Sequence, residues 1–152
     1  MVDNAGTKAQ LEAALKEAMR QQNELHKRTL RMALSAMRLA EIEKGASLDE
    51  PALLAILQKE VKCRQEALSE AQRAGRVDLE ADARAEIGVL EGFLPRQLSA
   101  EELENQASQA IAELGATSLK DMGQVMKVLM PRLHGQAPGD QVSQVVRRLL
   151  GA

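Results

Sequence analysis

Apolar residues along this chain recur three and four positions apart, the spacing that lines one side of an α-helix. Leu11, Leu15 and Met19, with Ala14 and Ala18, form the first such stripe. It opens at Thr7 and Gln10, a pairing of hydroxyl and amide that can cap the first turn. The stripe lapses near Gln21, and Asn23 is a suitable N-cap for a second helix carrying Leu30, Leu34, Met37 and Ile42 up to Gly45. Ser47 with Glu50 predicts a third helix, with Pro51 in its first turn and Leu54, Leu57, Val61 and Leu68 inward, closing at Gly75. Asp78 is the expected cap of a fourth, carrying Leu79, Ala83, Ile87 and Leu90. Gly88 and Gly92, one turn apart on it, suggest a close helix crossing.

Phe93-Leu94-Pro95 reads as a boundary, because Ser99 and Glu102 start a fresh capping box just beyond it. Three shorter helices follow. The first carries Leu103, Ala107, Ala110, Ile111 and Leu114 and ends at Gly115. The second, capped by Ser118, carries Met122, Val125, Met126, Leu129 and Met130, with Pro131 after it. The third starts near Asp140 and carries Val142, Val145, Val146, Leu149 and Leu150. The expected architecture is all-α and multihelical, with an N-terminal helical hairpin region over 1–95 and a three-helix subdomain over 96–152.

Composition sharpens this reading. The 152 residues contain one Phe, no Tyr and no Trp, too few aromatics for the core of most β-sandwiches or small barrels. A single cysteine, Cys63, cannot form an intrachain disulfide, and its place in a helix marks it as a small packing residue. No basic leader with an apolar core opens the chain, and no uncharged apolar run is long enough to span a bilayer. The protein is read as soluble and cytoplasmic, with no membrane partner.

Catalytic chemistry does not assemble. His26 and His134 lie in different halves, and neither stands near a serine or cysteine in sequence. Asp78-x-Glu80-x-Asp82 begins like a calcium loop, but its sixth position is Ala83 and its twelfth is Val89, where Gly and Glu are required. Glu41 and Glu43 point to different helix sides and cannot act as a pair. There is no phosphate-cradling glycine loop and no paired Cys or His spacing. No catalytic residue, metal or cofactor is expected. Met122, Met126 and Met130 form one stripe, read as core.

Charge is more informative when divided. Residues 1–95 hold 14 basic and 16 acidic side chains, and 96–152 hold six of each. In the second part the acids come early, so the tail from Met122 onward is cationic, with Lys127, Arg132, Arg147 and Arg148 against Asp140. A second basic stretch runs Arg20, Lys27, Arg28, Arg31 and Arg38, and Lys27, Arg31 and Arg38 can share a helix side.

Ala40-Glu41-Ile42-Glu43-Lys44-Gly45, Ala74-Gly75-Arg76-x-Asp78-Leu79 and Phe93-Leu94-Pro95-x-Gln97-Leu98-Ser99-x-Glu101-Glu102 resemble the signature of the GatB/YqeY family. Two further blocks extend the resemblance: Gly115-Ala116-Thr117-Ser118-x-x-Asp121-Met122-Gly123-x-Val125-Met126 and Leu129-Met130-Pro131-x-x-x-Gly135-x-Ala137. It covers about Leu11 to Leu150, at the length of the stand-alone YqeY-like members. The resemblance implies a C-terminal part similar to the tail of the B subunit of glutamine-dependent tRNA amidotransferase, a carbon–nitrogen ligase. That tail contacts tRNA, and the chain has no counterpart of the subunit's catalytic domain. Where the family has Gly-Arg-Ala-Asp-Gly at the last loop, this chain has Gly135-Gln136-Ala137-Pro138-Gly139 and lacks the cation.

The expected function is therefore a non-catalytic module for tRNA or another structured RNA, accessory to aminoacyl-tRNA or amidotransferase machinery. Without an aromatic platform, recognition would run through shape and phosphate. The candidate residues are Lys120, Lys127, Arg132, His134, Arg147 and Arg148, with Gly123 and Gly135 permitting close backbone approach. The alternative is a protein–protein interaction module with no nucleic-acid ligand.

Overall fold

The computed structural model describes residues 6–151, which form seven α-helices and one short 3₁₀ turn. The helices are α1 (Thr7–Arg20), α2 (Glu24–Lys44), α3 (Glu50–Arg73), α4 (Val77–Glu91), α5 (Ala100–Leu114), α6 (Met122–Leu133) and α7 (Gly139–Gly151), with the 3₁₀ turn at Leu119–Asp121. The described residues divide between Leu94 and Pro95 into two compact units, each with its own apolar core.

In the first unit α1 packs on α2, α3 on α4, and α2 on α4. Leu11, Leu30, Met37, Leu57 and Leu90 are its fully buried large side chains, joined by Ala18, Ala33, Leu53 and Val61. Helix ends follow local chemistry. Asn23 caps α2 through the His26 N–H, and Gly45 takes the left-handed conformation that closes it. Three caps differ from expectation, those at Ser47, Thr7 and Asp78. Asp49, not Ser47, accepts from the Ala52 N–H at the start of α3. Glu50 is thereby released to reach across to α1, where its carboxylate accepts from the Thr7 N–H (3.0 Å) and hydroxyl (2.7 Å). Thr7 is thus the recipient of a long-range cap. Likewise α4 starts at Val77, and Asp78 sits within its first turn, paired with Arg76 at 3.0 Å.

Several residues expected inside are on the surface. Met19, Ile42, Leu79 and Cys63 are all exposed, Ile42 and Cys63 on the sides of α2 and α3 turned away from those helices' buried residues. The expected helix crossing at Gly88 is absent: a Cβ added there would meet nothing within 4 Å. Conversely, Arg64 is buried on α3, between the carboxylates of Glu60 (2.7 Å) and Glu86 (3.0 Å).

The second unit is a three-helix arrangement in which α5, α6 and α7 each contact the other two. Leu103, Ala107, Ala110, Val125, Leu129, Leu133, Ala137, Val142, Val146 and Leu150 form its core, with Met122, Met126 and Met130 packed against it. The Ser99–Glu102 capping box is complete, and Gly115 closes α5 in the left-handed region. Pro131 lies inside α6 rather than after it. Proline there lacks the N–H that would donate to the Lys127 carbonyl, and the helix ends three residues on, at His134 in a left-handed conformation. Gln97 fixes the entry to the unit, its side-chain amide donating to the carbonyls of Pro95 and Gly135 at 2.9 Å each.

Candidate nucleic-acid interface

The five lysine and arginine candidates of the C-terminal unit do not share one environment. Arg132 of α6 pairs with Glu113 at 2.6 Å, and Arg148 of α7 pairs with Glu104 at 2.7 Å. Both acids belong to α5 and are nine residues apart. At 100° and 1.5 Å per residue they project from opposite sides of that helix, about 13.5 Å apart along its axis. Arg132 and Arg148 therefore flank α5 on two different sides, each neutralised by a carboxylate.

Lys120, Lys127 and Arg147 differ. All three are exposed, and none has an acidic partner among the described residues. Their common placement follows from the antiparallel packing of α6 and α7. A Cβ built on Gly139, at the start of α7, would lie 3.8 Å from Met130 Cε, near the end of α6. A Cβ on Gly151, at the end of α7, would lie 3.8 Å from Leu119 in the 3₁₀ turn. Lys127 is one turn before Met130 and Arg147 one turn before Gly151, so both lie on the flanks that α6 and α7 turn toward each other. Lys120 adjoins Leu119 at the same end as Gly151. In this register Gly123 is about level with Arg147 along the paired helices.

Gly123 is exposed in the first turn of α6, with no atom within 4 Å of where its Cβ would be. Packing does not require a glycine there. Gly135 is different: its φ of 76° serves the α6–α7 turn, and its carbonyl holds Gln97. His134 is exposed beside it with φ of 47°, at the far end of α6 from Lys120. Of the eight candidate residues, then, Arg132 and Arg148 are held by acids of α5 and Gly135 serves the turn, while Lys120, Gly123, Lys127, His134 and Arg147 are exposed. Asp121 and Asp140 are tied to helix starts: Asp121 accepts from the Thr117 and Ser118 N–H groups, and Asp140 from the Gln141 N–H.

The N-terminal basic stretch is also divided. Arg20 pairs with Glu17, Lys27 with Glu24, and Arg28 with Asp82 and Glu86. Arg31 and Arg38 make no close ion pair among the described residues, but their charges act on Glu24 and Glu41 of the same helix. Hydrogen bonds from Lys27 and Lys8 hold the Glu24 and Glu41 carboxyls below the ordinary carboxylate range. Among the described residues no group of three His, Cys, Asp or Glu is placed to hold a metal ion, and no helix is long and apolar enough to cross a membrane.

The described residues are thus all-helical and form two compact units. Residues 8–150 match the family model of the Yqey-like proteins, and the chain belongs to that family. It is 27% identical over 148 residues to "Altered inheritance of mitochondria protein 41, mitochondrial" of Pyrenophora tritici-repentis (strain Pt-1C-BFP), an alignment covering 93% of this chain and 80% of that protein.

Proposed function

We propose that this YqeY-family protein is a non-catalytic module that holds a structured RNA of the tRNA class through its phosphates and shape. What supports this reading is that Lys120, Lys127 and Arg147, in or beside the α6–α7 pair, are exposed and make no close ion pair among the described residues. Gly123 beside them lets a sugar–phosphate backbone approach the helix closely, which a side chain would prevent. The resemblance to the amidotransferase B-subunit tail supports tRNA as the polyanion. It supports a role beside that machinery rather than the ligase reaction, for which these residues supply no nucleophile and base in contact.

Three phosphate contacts would give a salt slope of roughly −2 to −2.7, so affinity for tRNA should fall about twenty- to fortyfold between 50 and 200 mM salt. Replacing Lys120, Lys127 and Arg147 together by Gln should abolish that slope, whereas Arg132→Gln with Arg148→Gln should leave most of it. Gly123→Ala should weaken binding while leaving the fold intact, since Ala is the better helix former by about 0.5–1 kcal/mol. Binding that is flat across the salt range, or equally sensitive to both charge sets, would overturn the assignment. Ammonia release from glutamine by the purified chain would place it among the carbon–nitrogen ligases instead.

A further inference from the structure

Arg64 is the one buried cation among the described residues, 6% exposed, and its guanidinium faces acceptors of unequal strength. Nε donates to Glu86 at 3.0 Å, and Nη1 donates to the carboxylate and the carbonyl of Glu60 at 2.7 and 3.0 Å. Nη2 donates instead to Met32 Sδ of α2 at 3.6 Å, the longer reach of a sulfur acceptor. A thioether is a weak acceptor, so this end of a shielded charge is the least well satisfied. Met32 itself is 56% exposed, which opens its side chain to reagents in the solvent.

An oxygen on that sulfur would reverse the inequality. A sulfoxide oxygen carries partial negative charge, and hydrogen bonds from an ionised donor are roughly twice as strong as neutral ones. We propose that Met32 is a modification site for hydroperoxides, and that Arg64 receives the sulfoxide formed there, tying α2 more tightly to α3. The sulfur lone pair attacks the outer peroxide oxygen, and the S–O bond forms as the O–O bond breaks. Sulfur is oxidised by two electrons. The hydroperoxide is reduced and leaves as water or an alcohol, its hydroxyl proton passing to the departing oxygen.

Methionine sulfoxide ordinarily weakens a fold by forcing a polar oxygen into apolar surroundings. Here the core contacts of α2 belong to Leu30, Ala33 and Met37, and the oxygen would lie at the surface beside a buried donor. Oxidation should therefore stabilise the first unit. This site is independent of the RNA reading and lies on the other unit.

The test treats the full chain carrying Met19→Leu with dilute hydrogen peroxide; the substitution removes the other highly exposed methionine, at 50%. Peptide mass spectrometry should find oxygen on Met32 ahead of the partly buried Met122, Met126 and Met130. In the species modified at Met32 alone, core amides of α2 and α3 should be protected from hydrogen exchange about tenfold more than in the reduced chain, the low end for a bond to a charged group. Met32→Gln offers an amide oxygen without any oxidant and should exceed Met32→Leu by a similar factor. Arg64→Lys should remove both gains. Should that variant fail to fold, solvent exchange of the Arg64 guanidinium protons, followed by NMR in the chain that keeps the arginine, should slow on oxidation. Oxygen uptake that spares Met32, protection that falls or stays level, a gain that persists without Arg64, or guanidinium exchange unchanged by oxidation would each overturn the proposal.

Discussion

At the scale of single residues, Arg64 is the clearest case in which three-dimensional context decides the role. In sequence it is one cation beside Cys63, but in the fold it is 6% exposed and gives its guanidinium to Glu60, Glu86 and the carbonyl of Glu60. Removing it strands the largely shielded carboxylate of Glu60 and leaves Glu86 to Arg28 alone, which costs more than the pair contributes when intact. Arg64→Met should therefore lower unfolding free energy by about 2–3 kcal/mol, read from urea denaturation. The double replacement with Glu86→Gln should recover part of the loss, and a single variant as stable as the parent would refute the account. Nothing local in sequence marks Arg64, because its partners are four and twenty-two positions away. Leu57 and Leu129, by contrast, were legible from periodicity alone, since burial of a stripe centre depends only on there being a neighbour. Ile42 and Met19 were not, since spacing places a residue on a side of its helix but does not say whether a neighbour covers that side.

At the scale of elements, helix ends written in adjacent residues are the most legible part of the chain. Asn23, Gly45, Ser99 and Gly115 act as their types dictate, each meeting a backbone need within four residues. The start of α1 was hidden because Glu50, which satisfies it, comes from another helix. Local caps also carry a pH dependence. The Ser99 N–H, with Arg96 next in importance, holds the Glu102 carboxyl below its ordinary value of 4.5. A depressed folded-state value stabilises the helix start above the unfolded pKa, and that contribution disappears as pH falls through the lower folded value. Below about pH 4.5, then, the protection of the amides at Ser99 and the first turn of α5, measured against the unstructured chain at the same pH, should fall. Glu102→Gln, which keeps an acceptor but no charge, should flatten this trend, and an equally steep trend in the variant would show that the acid dependence arises elsewhere.

At the scale of the molecule, the C-terminal unit has what a small domain needs. Every helix contacts both others, ten buried apolar residues close one core, and Gln97 with the Leu98 N–H to Gln136 carbonyl bond ties the entering chain to the α6–α7 turn. At roughly 60 residues it lies near the lower size at which burial alone sustains a fold, so these ties matter. The placement of the cations depends on this unit alone. Lys127 and Arg147 come together because α6 and α7 run antiparallel, a relation set by the Gly135 turn and by Met130 meeting Gly139. Sequence alone could identify the charges, but could not sort those facing the acids of α5 from those left to solvent. A fragment spanning 95–152 should accordingly give a helical spectrum and a cooperative thermal transition. If the flank is the RNA-binding surface, the fragment should also reproduce the salt slope of the full chain. A folded fragment with no such slope would separate the two claims, keeping the autonomous unit and removing the cationic flank as the place where RNA is held.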